Sequence, residues 1–584
     1  MPDVLDNQAF QQQLQAISDD TGRALETLRA EAGDDLEEMR GDRSQFVVSL
    51  FAGLCRYLCR RGYHPDYYHD IEELERVRQL AASQSVVYLV THKTYLDFFV
   101  LFDFLYRSGI APPYIFGGVN MAFTGFGSFA RRAGGIFIRR TFADDPVYKA
   151  VLRRYIQSLI GKGCSFSWAI EGTRSRTGKL VMPKLGLLKY VVDASQPLGD
   201  DAITYIPVSV SYDQIPDVID MAAQEAGATK KPESLKWFVS YVRGLGNRFG
   251  NIYVRFGDPV ALHDTPDAPD LTISQRLQSL KIVEVEKLAF EVCYRINEVT
   301  PATETSLILM SLLCRTTARP ERIRADVTSL ENYMAQRQSL SMFTTPNRTI
   351  VRDIDATLAA LIDHGIVQRD PDGDHCSIVP ERYLVALYYS NMAVHHFVIA
   401  AFAELGLLNV THDESDSSEE AFRAEVLRLR DLFKFEFFFA RKDHFREQFV
   451  DEFVFLGEPT EPFGKQDRAA AEALLRRQPL LVAFGALSPF VNAYRVVARC
   501  LSDAGSPAID DRSAFIASCQ AESRKVGAGY PGFASKALLT NGYLLAENRE
   551  LLGDEPGVGE KRQAFVEELD FVAKQLREIR EMTA

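Results

Sequence analysis

The sequence has no surplus of positive charge, no paired-cysteine motif and no clean membrane-spanning run, and each lack removes a class of function. Its 66 basic residues face 79 acidic ones, a formal charge of -13 over 584 residues. A dedicated nucleic-acid binder needs the opposite field, so an anionic substrate would require a local basic patch. Eight cysteines at positions 55, 59, 164, 293, 314, 376, 500 and 519 include no CxxC pair. Reduced thiols in a cytosolic compartment fit this better than a disulfide framework, and no metal site is expected. Cys55 and Cys59, four apart on a helical pattern, read as neighbouring core thiols. No G-x-S-x-G elbow or H-E-x-x-H pair occurs, which removes the commonest serine-hydrolase and zinc-protease readings. "GTRSRTGKL" has five residues between its glycines and Leu180 after Lys179, so it fails as a P-loop. "GAGYPG", Gly527 to Gly532, follows no strand pattern and reads as a loop, not a dinucleotide site.

The start "MPDVLDNQAFQQQLQ" lacks a basic beginning and an apolar core, so no conventional secretory signal is expected. One run, Tyr383 to Ala403, is uncharged for 21 residues, long enough to span a bilayer. Ser390, Asn391, His395 and His396 lie in its middle, where lipid would penalise them. The reading is therefore a buried helix of a globular domain.

What is present falls into three segments. Residues 1–80 carry heptad-like apolar spacing and read as a helical lead-in. Residues 81–270 alternate short apolar runs with helical patterns: "SVVYLV", "PPYIFGG", "GGIFIRR", "CSFSWAI", "AITYIPVSVSYD" and "NIYVRFGDPVAL". That alternation predicts an α/β domain, a mixed sheet flanked by helices, ended by the Pro- and Asp-rich "HDTPDAPD", His263 to Asp270. Residues 271–584 read as a largely α-helical C-terminal region, broken by the acidic loop "THDESDSSEE", Thr411 to Glu420. Within it, 320–381 has a helix, helix and β-hairpin rhythm like a winged helix. A DNA-binding regulator is thus an alternative, opposed by the acidic tip "DPDGDH".

Four stretches of the α/β segment concentrate reactive side chains. "THKTYLDFF", Thr91 to Phe99, follows a buried-strand run, so His92 falls where a strand ends and a helix starts, with Asp97 five residues on; Thr91 or Thr94 could cap that helix. "GGIFIRRTF" ends a strand in Arg139 and Arg140. "EGTRSRTGK" holds Arg174, Arg176 and Lys179, and "IPVSVSYD" closes the set. A shared sheet would bring the cations to one rim, where guanidinium forks match phosphate or carboxylate oxygens.

In order and spacing, "HKTYLD", "GGIFIRR", "EGTRSRTGK" and "IPVSVSYD" resemble the four sequence blocks of the glycerol-3-phosphate acyltransferase family, over about 120 residues. "VRFGDPVAL" resembles the strand and turn that close its catalytic domain. "YYSNMAVHHF" resembles a C-terminal helix of the bacterial membrane-associated members, at Tyr388, Tyr389, Asn391, His395 and Phe397. The resemblance implies His92 as general base and Asp97 as its orienting partner. It implies Arg139, Glu171, Gly172, Arg174 and Ser175 as contacts to the acceptor, Pro207 in the cleft wall, and Lys93 and Thr173 in the substrate-binding set. Departures are Lys93 and Thr94 for the commoner arginine and serine, and Ala169 and Ile170 before Glu171.

The implied reaction moves a long acyl chain from acyl-CoA or acyl carrier protein to the sn-1 hydroxyl of glycerol 3-phosphate, the first step of phospholipid synthesis. Dihydroxyacetone phosphate and lysophosphatidate are alternative acceptors, and a non-catalytic membrane scaffold is a reading of another class. An acyl thioester serves as co-substrate, and no cofactor and no nucleic-acid partner are expected. The chemistry needs the hydroxyl proton removed as the bond forms, a task matched to a neutral imidazole. The expected location is peripheral, on the cytoplasmic membrane face, with anionic lipid as partner. Two stretches are candidates for docking: Met121 to Gly135, with Phe123, Phe126 and Phe129 beside Arg131 and Arg132, and Leu432 to Phe445.

Overall fold

In the computed structural model the six apolar runs of the α/β segment pair into one sheet. The described residues are all but 1, 119–125, 140, 143, 200–201, 229–234, 247–248, 262–272, 341–352, 410–417, 457–467, 506, 527–534 and 584. Outside them lie Phe123, Arg140, "HDTPDAPD", most of "THDESDSSEE" and the "GAGYPG" stretch. The chain divides into two compact units, one of residues 1–174, 183–212 and 231–300, the other of 175–182, 213–230 and 301–584. This grouping differs from the three sequence segments, because the N-terminal helices pack in the same unit as the sheet.

In the first unit, α1 (Pro2–Leu5), α2 (Gln8–Thr21), α3 (Leu25–Met39), α4 (Gln45–Gly62) and α5 (Ile71–Ser83) precede β1 (Ser85–Val90). There follow α6 (Asp97–Arg107), β2 (Tyr114–Gly118), α7 (Phe126–Ala133), β3 (Gly135–Ile138), α8 (Pro146–Ile160), β4 (Phe166–Ala169), α9 (Leu185–Ser195) and β5 (Ile203–Tyr212). After α10 (Val218–Glu225), which belongs to the second unit, come α11 (Leu235–Gly244), β6 (Ile252–Phe256) and α12 (Ile273–Val299). The strand order is β3-β2-β4-β1-β5-β6. The first five strands run parallel and β6 is antiparallel to β5.

Every residue of β1, β4 and β5 is buried, which is why these runs are continuously apolar instead of alternating: a parallel strand covered by helices on both faces has no wet side. Pro207 lies inside β5, opposite Leu89 of β1. A proline cannot donate to a ladder. It is tolerated here because pairing on the other side is interrupted between Val208, opposite Phe256, and the isolated bridge of Tyr205 to Val260. Its carbonyl still accepts from Gly257 N at 2.9 Å.

α4 packs Val48, Phe51, Ala52 and Cys55 against Phe102 of α6 and Ala133 of α7, with the Phe51 and Phe102 rings edge to face at 4.9 Å. Each apolar side chain removed from water in this way contributes about 1.5–3 kcal/mol. Cys55 and Cys59 are buried free thiols in this core, and burial pushes Cys59 up to about 12.

The second unit is built on α13 (Glu304–Arg315), β7 (Thr317–Ala318), α14 (Pro320–Leu340), α15 (Ile354–Asp363), β8 (Val367–Arg369), β9 (Cys376–Ile378), α16 (Tyr383–Asn391) and α17 (Val398–Leu408). It continues through α18 (Ser418–Leu432), α19 (Lys442–Phe455), α20 (Arg468–Arg476), α21 (Ala483–Asp503), α22 (Arg512–Val526), α23 (Lys536–Asn548) and α24 (Val558–Thr583). The uncharged run from Tyr383 thus forms two buried helices, α16 and α17, separated by a 3-10 turn at Val394–His396. No helix among the described residues is long and apolar enough to cross a membrane. The region read as winged-helix-like supplies α14, α15 and the hairpin β8–β9, whose second strand also pairs with β7.

Candidate active site

Parallel strands deliver their carboxyl ends to one rim of a sheet, and ligands collect there. In the first unit β1 ends at Val90 and hands the chain to His92, and β4 ends just before Glu171. β5 ends in Tyr212. Neighbouring strands therefore carry all three residues to one place.

His92 Nδ1 lies 2.9 Å from Asp97 Oδ2. The carboxylate is fully buried and saturated: Oδ2 also accepts from the backbone N–H groups of Lys93 at 2.6 Å and Thr94 at 3.0 Å, while Oδ1 accepts from the Tyr212 hydroxyl at 2.7 Å. With the carboxylate accepting from these groups, the imidazole tautomer that bonds it carries its proton on Nδ1 and presents a lone pair at Nε2. Nε2 has no partner among the described residues, and the ring is the one polar group of the pair with some exposure, 18%.

α6 begins at Asp97 with Leu96 at the cap and no side-chain cap bond. The sequence reading of a threonine cap is thus corrected. Thr91 Oγ1 is spent on the Val210 backbone and Thr94 Oγ1 on the Tyr241 hydroxyl at 3.1 Å. Instead Asp97 reaches back over its own loop.

Glu171 is 1% exposed, and its Oε1 accepts from the His92 N–H at 2.8 Å. Lys93 is buried close by. Desolvation lowers its ammonium to about 8, while Glu171 and then Asp97 oppose the fall. The following turn needs a left-handed residue, and Gly172 adopts φ +67° with a would-be Cβ 2.8 Å from Lys184. Thr173 is exposed. Arg174 folds back on the histidine loop: its guanidinium carbon stands 3.8 Å above the Tyr95 ring and Nη2 donates to the Tyr95 hydroxyl at 2.7 Å. Stacking fixes the orientation of this planar fork on a ring three residues from His92.

Arg139 is placed differently. β3 is three strand spacings from β1, about 14 Å, and the Arg139 guanidinium meets Asp35, Glu38 and Asp145. These contacts raise Arg139, Glu38 foremost, and desolvation pushes Asp35 up to about 6 against the pull of Arg139. Glu31 joins Asp35 and Asp145 in a compact acidic group.

The remainder of "EGTRSRTGK" belongs to the second unit. Ser175 Oγ accepts from Gly178 N at 3.0 Å and donates to the Lys179 carbonyl at 2.7 Å, bracing the turn internally. Lys179 is buried on Glu436, which also accepts from Tyr494 and Asn541. Asn391, from the C-terminal motif, donates to the Thr177 carbonyl at 2.8 Å. Gly178, at φ +87°, lies so close to Tyr388 that a Cβ would stand 1.8 Å from its carbonyl oxygen.

The first unit therefore brings His92, Lys93, Asp97, Glu171 and Arg174 together. Arg139, Ser175 and Pro207 are engaged elsewhere. Sequence reasoning assigned no role to Tyr212 or Tyr95, although both lie inside the quoted blocks; a tyrosine at a strand end gives no signal of which carboxylate it meets.

A family model described as "Glycerol-3-phosphate acyltransferase C-terminal region" matches residues 221–555, and one described as "Acyltransferase" matches 68–211. The chain is 31% identical over 608 residues to the protein named "Putative acyltransferase plsB1" of Mycobacterium tuberculosis and to its Mycobacterium bovis counterpart, covering 99% of this chain and 93% of theirs. Among solved structures, the 1-acyl-sn-glycerophosphate acyltransferase PlsC of Thermotoga maritima matches at 15% identity with a TM-score of 0.21, covering 38% of this chain and 79% of that one. The structural match carries no weight beside the first two findings. Together with those, the histidine and carboxylate at the sheet rim identify the chain as an acyltransferase belonging to the glycerol-3-phosphate acyltransferase family.

Proposed function

We propose that the protein transfers a long acyl chain from a thioester, on coenzyme A or acyl carrier protein, to the sn-1 hydroxyl of glycerol 3-phosphate. The observation that carries the reading is the His92 Nδ1 to Asp97 Oδ2 hydrogen bond of 2.9 Å, made to a buried carboxylate. It leaves Nε2 to take the acceptor's hydroxyl proton as oxygen attacks the thioester carbon. The tetrahedral intermediate then collapses, the C–S bond breaks, and the imidazolium returns its proton to the leaving thiolate. Asp97 stabilises the transient cation, and no serine or cysteine nucleophile is needed.

Arg174 is the first candidate for the acceptor's phosphate. Its planar fork is oriented by stacking on Tyr95, three residues from His92 in the same loop, a geometry suited to two parallel bonds to phosphate oxygens. Arg139 would first have to exchange carboxylate partners. Fixing the phosphate positions the hydroxyl against His92, an arrangement worth up to about 7–11 kcal/mol. Because product and donor are amphiphiles, the protein is read as peripheral, working on the cytoplasmic face of a membrane.

The test is thiol release from a long-chain acyl-CoA with glycerol 3-phosphate, dihydroxyacetone phosphate or lysophosphatidate as the acceptor. Glycerol 3-phosphate should give the highest kcat/KM. Release with lysophosphatidate alone would overturn the acceptor assignment.

A further inference from the structure

We infer that α4 is the helix that lies on the membrane, with an anionic lipid surface as its occupant; this rests on the proposed lipid-forming reaction and names the surface involved. One face of α4 is buried, as described above. Phe46, Leu50, Gly53 and Tyr57 recur at helical spacing on the opposite face, and Phe46 is 77%, Leu50 55% and Tyr57 55% exposed. Three of the ten large apolar side chains most exposed among the described residues thus share one stripe.

The charges carried by α4 itself have one sign. In a chain of net charge -13, this helix of 18 residues contains no carboxylate and ends in exposed Arg60 and Arg61. Exposed Arg132 stands at its other end, where its carbonyl accepts from Ser44 N at 2.9 Å. Asp42, just before the helix, is paired with Arg40. A narrow apolar stripe with cations at both ends complements the interface of a bilayer that carries negative headgroups.

The helix also leads to the reactive groups. Tyr63, directly after α4, packs its ring 5.4 Å from that of Tyr212, which holds Asp97. Arg61 Nε donates to the Val242 carbonyl, next to the Tyr241 that meets Thr94. The stretches singled out from sequence fit the role less well. Phe433, Phe437, Phe438 and Phe445 are buried in the second unit. Phe129 packs on Phe51 of α4 itself at 5.6 Å, while residues 121–125 and the Phe126 side chain lie outside the described residues.

The experiment is co-sedimentation of the full chain with phosphatidylcholine vesicles, with and without phosphatidylglycerol, at low and high salt. The wild-type chain should prefer the anionic vesicles and lose affinity with salt. The variant F46S/L50S/Y57S should bind about tenfold more weakly or worse, and R60Q/R132Q should lose most of the anionic preference. Both variants should keep wild-type melting temperature and wild-type thiol release from a soluble short-chain acyl-CoA. Unchanged vesicle binding by the triple variant, or none by the wild type, overturns the inference. So does a triple variant that changes oligomeric mass in light scattering while still binding vesicles, which would assign the stripe to a second copy of the chain. Intact vesicle binding without any thiol release would instead count against the proposed reaction and leave the docking helix standing.

Discussion

Replacing Asp97 by Asn should separate catalysis from binding and from folding. An amide can occupy the site without disruption: its oxygen in place of Oδ2 keeps His92 Nδ1 and the two backbone N–H donors, and its nitrogen in place of Oδ1 meets the Tyr212 hydroxyl, which can rotate to accept. What disappears is the negative charge. Across the 2.9 Å between the two groups, an effective dielectric of ~20 gives an attraction of about 6 kcal/mol for a complete imidazolium. Proton transfer is partial at the transition state and the ring touches solvent, so about 3–5 kcal/mol is expected, a loss of roughly 10²- to 10⁴-fold in kcat. The assay is steady-state thiol release at saturating donor, with KM measured for both substrates and the fold checked by circular dichroism. KM for each substrate should stay near wild type. A folded variant whose kcat remains within about threefold of wild type would refute the base assignment.

Tyr212→Phe removes one hydrogen bond to the same carboxylate, so kcat should fall about 10- to 100-fold. KM for both substrates should stay near wild type; a fall in kcat matched by a rise in both KM values would make Tyr212 merely structural. Lys93, lowered to about 8 by burial, should impose a basic limb there, as loss of its proton leaves Glu171 and Asp97 without a cation between them; a pH profile of Lys93→Arg should lack that limb, and its persistence would count against the assignment. The linked stability has a definite sign. Between about 8 and the ordinary 10.5 the unfolded chain holds a proton that the folded one has lost, so this group makes the fold gain stability as pH rises through that window. Gly178→Ala forces a left-handed alanine against the Tyr388 carbonyl and should cost about 2–3 kcal/mol or more in urea unfolding; an unchanged midpoint would contradict the close approach.

Strands β1, β4 and β5 were legible because each is an apolar run buried on both faces, with no wet side to blur the pattern. That His92 and Asp97 could meet was legible because five residues from a strand end to a helix start is a local spacing, whereas their roles came from the resemblance of the four blocks. Side-chain destinations across the fold were not. Arg139 looked like a free cation at a strand end, yet the acids that hold it, Asp35 and Glu38, lie about a hundred residues earlier on α3. Lys179 read as part of a basic rim, but its partner Glu436 is 257 residues away. The docking stripe was missed for a related reason: α4 alternates buried and exposed apolar residues, and only the packing of α6 and α7 decides which face stays open.

The most direct test of the account is single-turnover conversion of isotope-labelled glycerol 3-phosphate and a long-chain acyl-CoA, with mass-spectrometric identification of the product, by the wild-type chain and by His92→Ala. The wild type should yield 1-acyl lysophosphatidate and one equivalent of free thiol, and the variant should be slower by about two to four orders of magnitude while still binding the acceptor. Equal rates in the two proteins, or a labelled product acylated elsewhere than at sn-1, would contradict it.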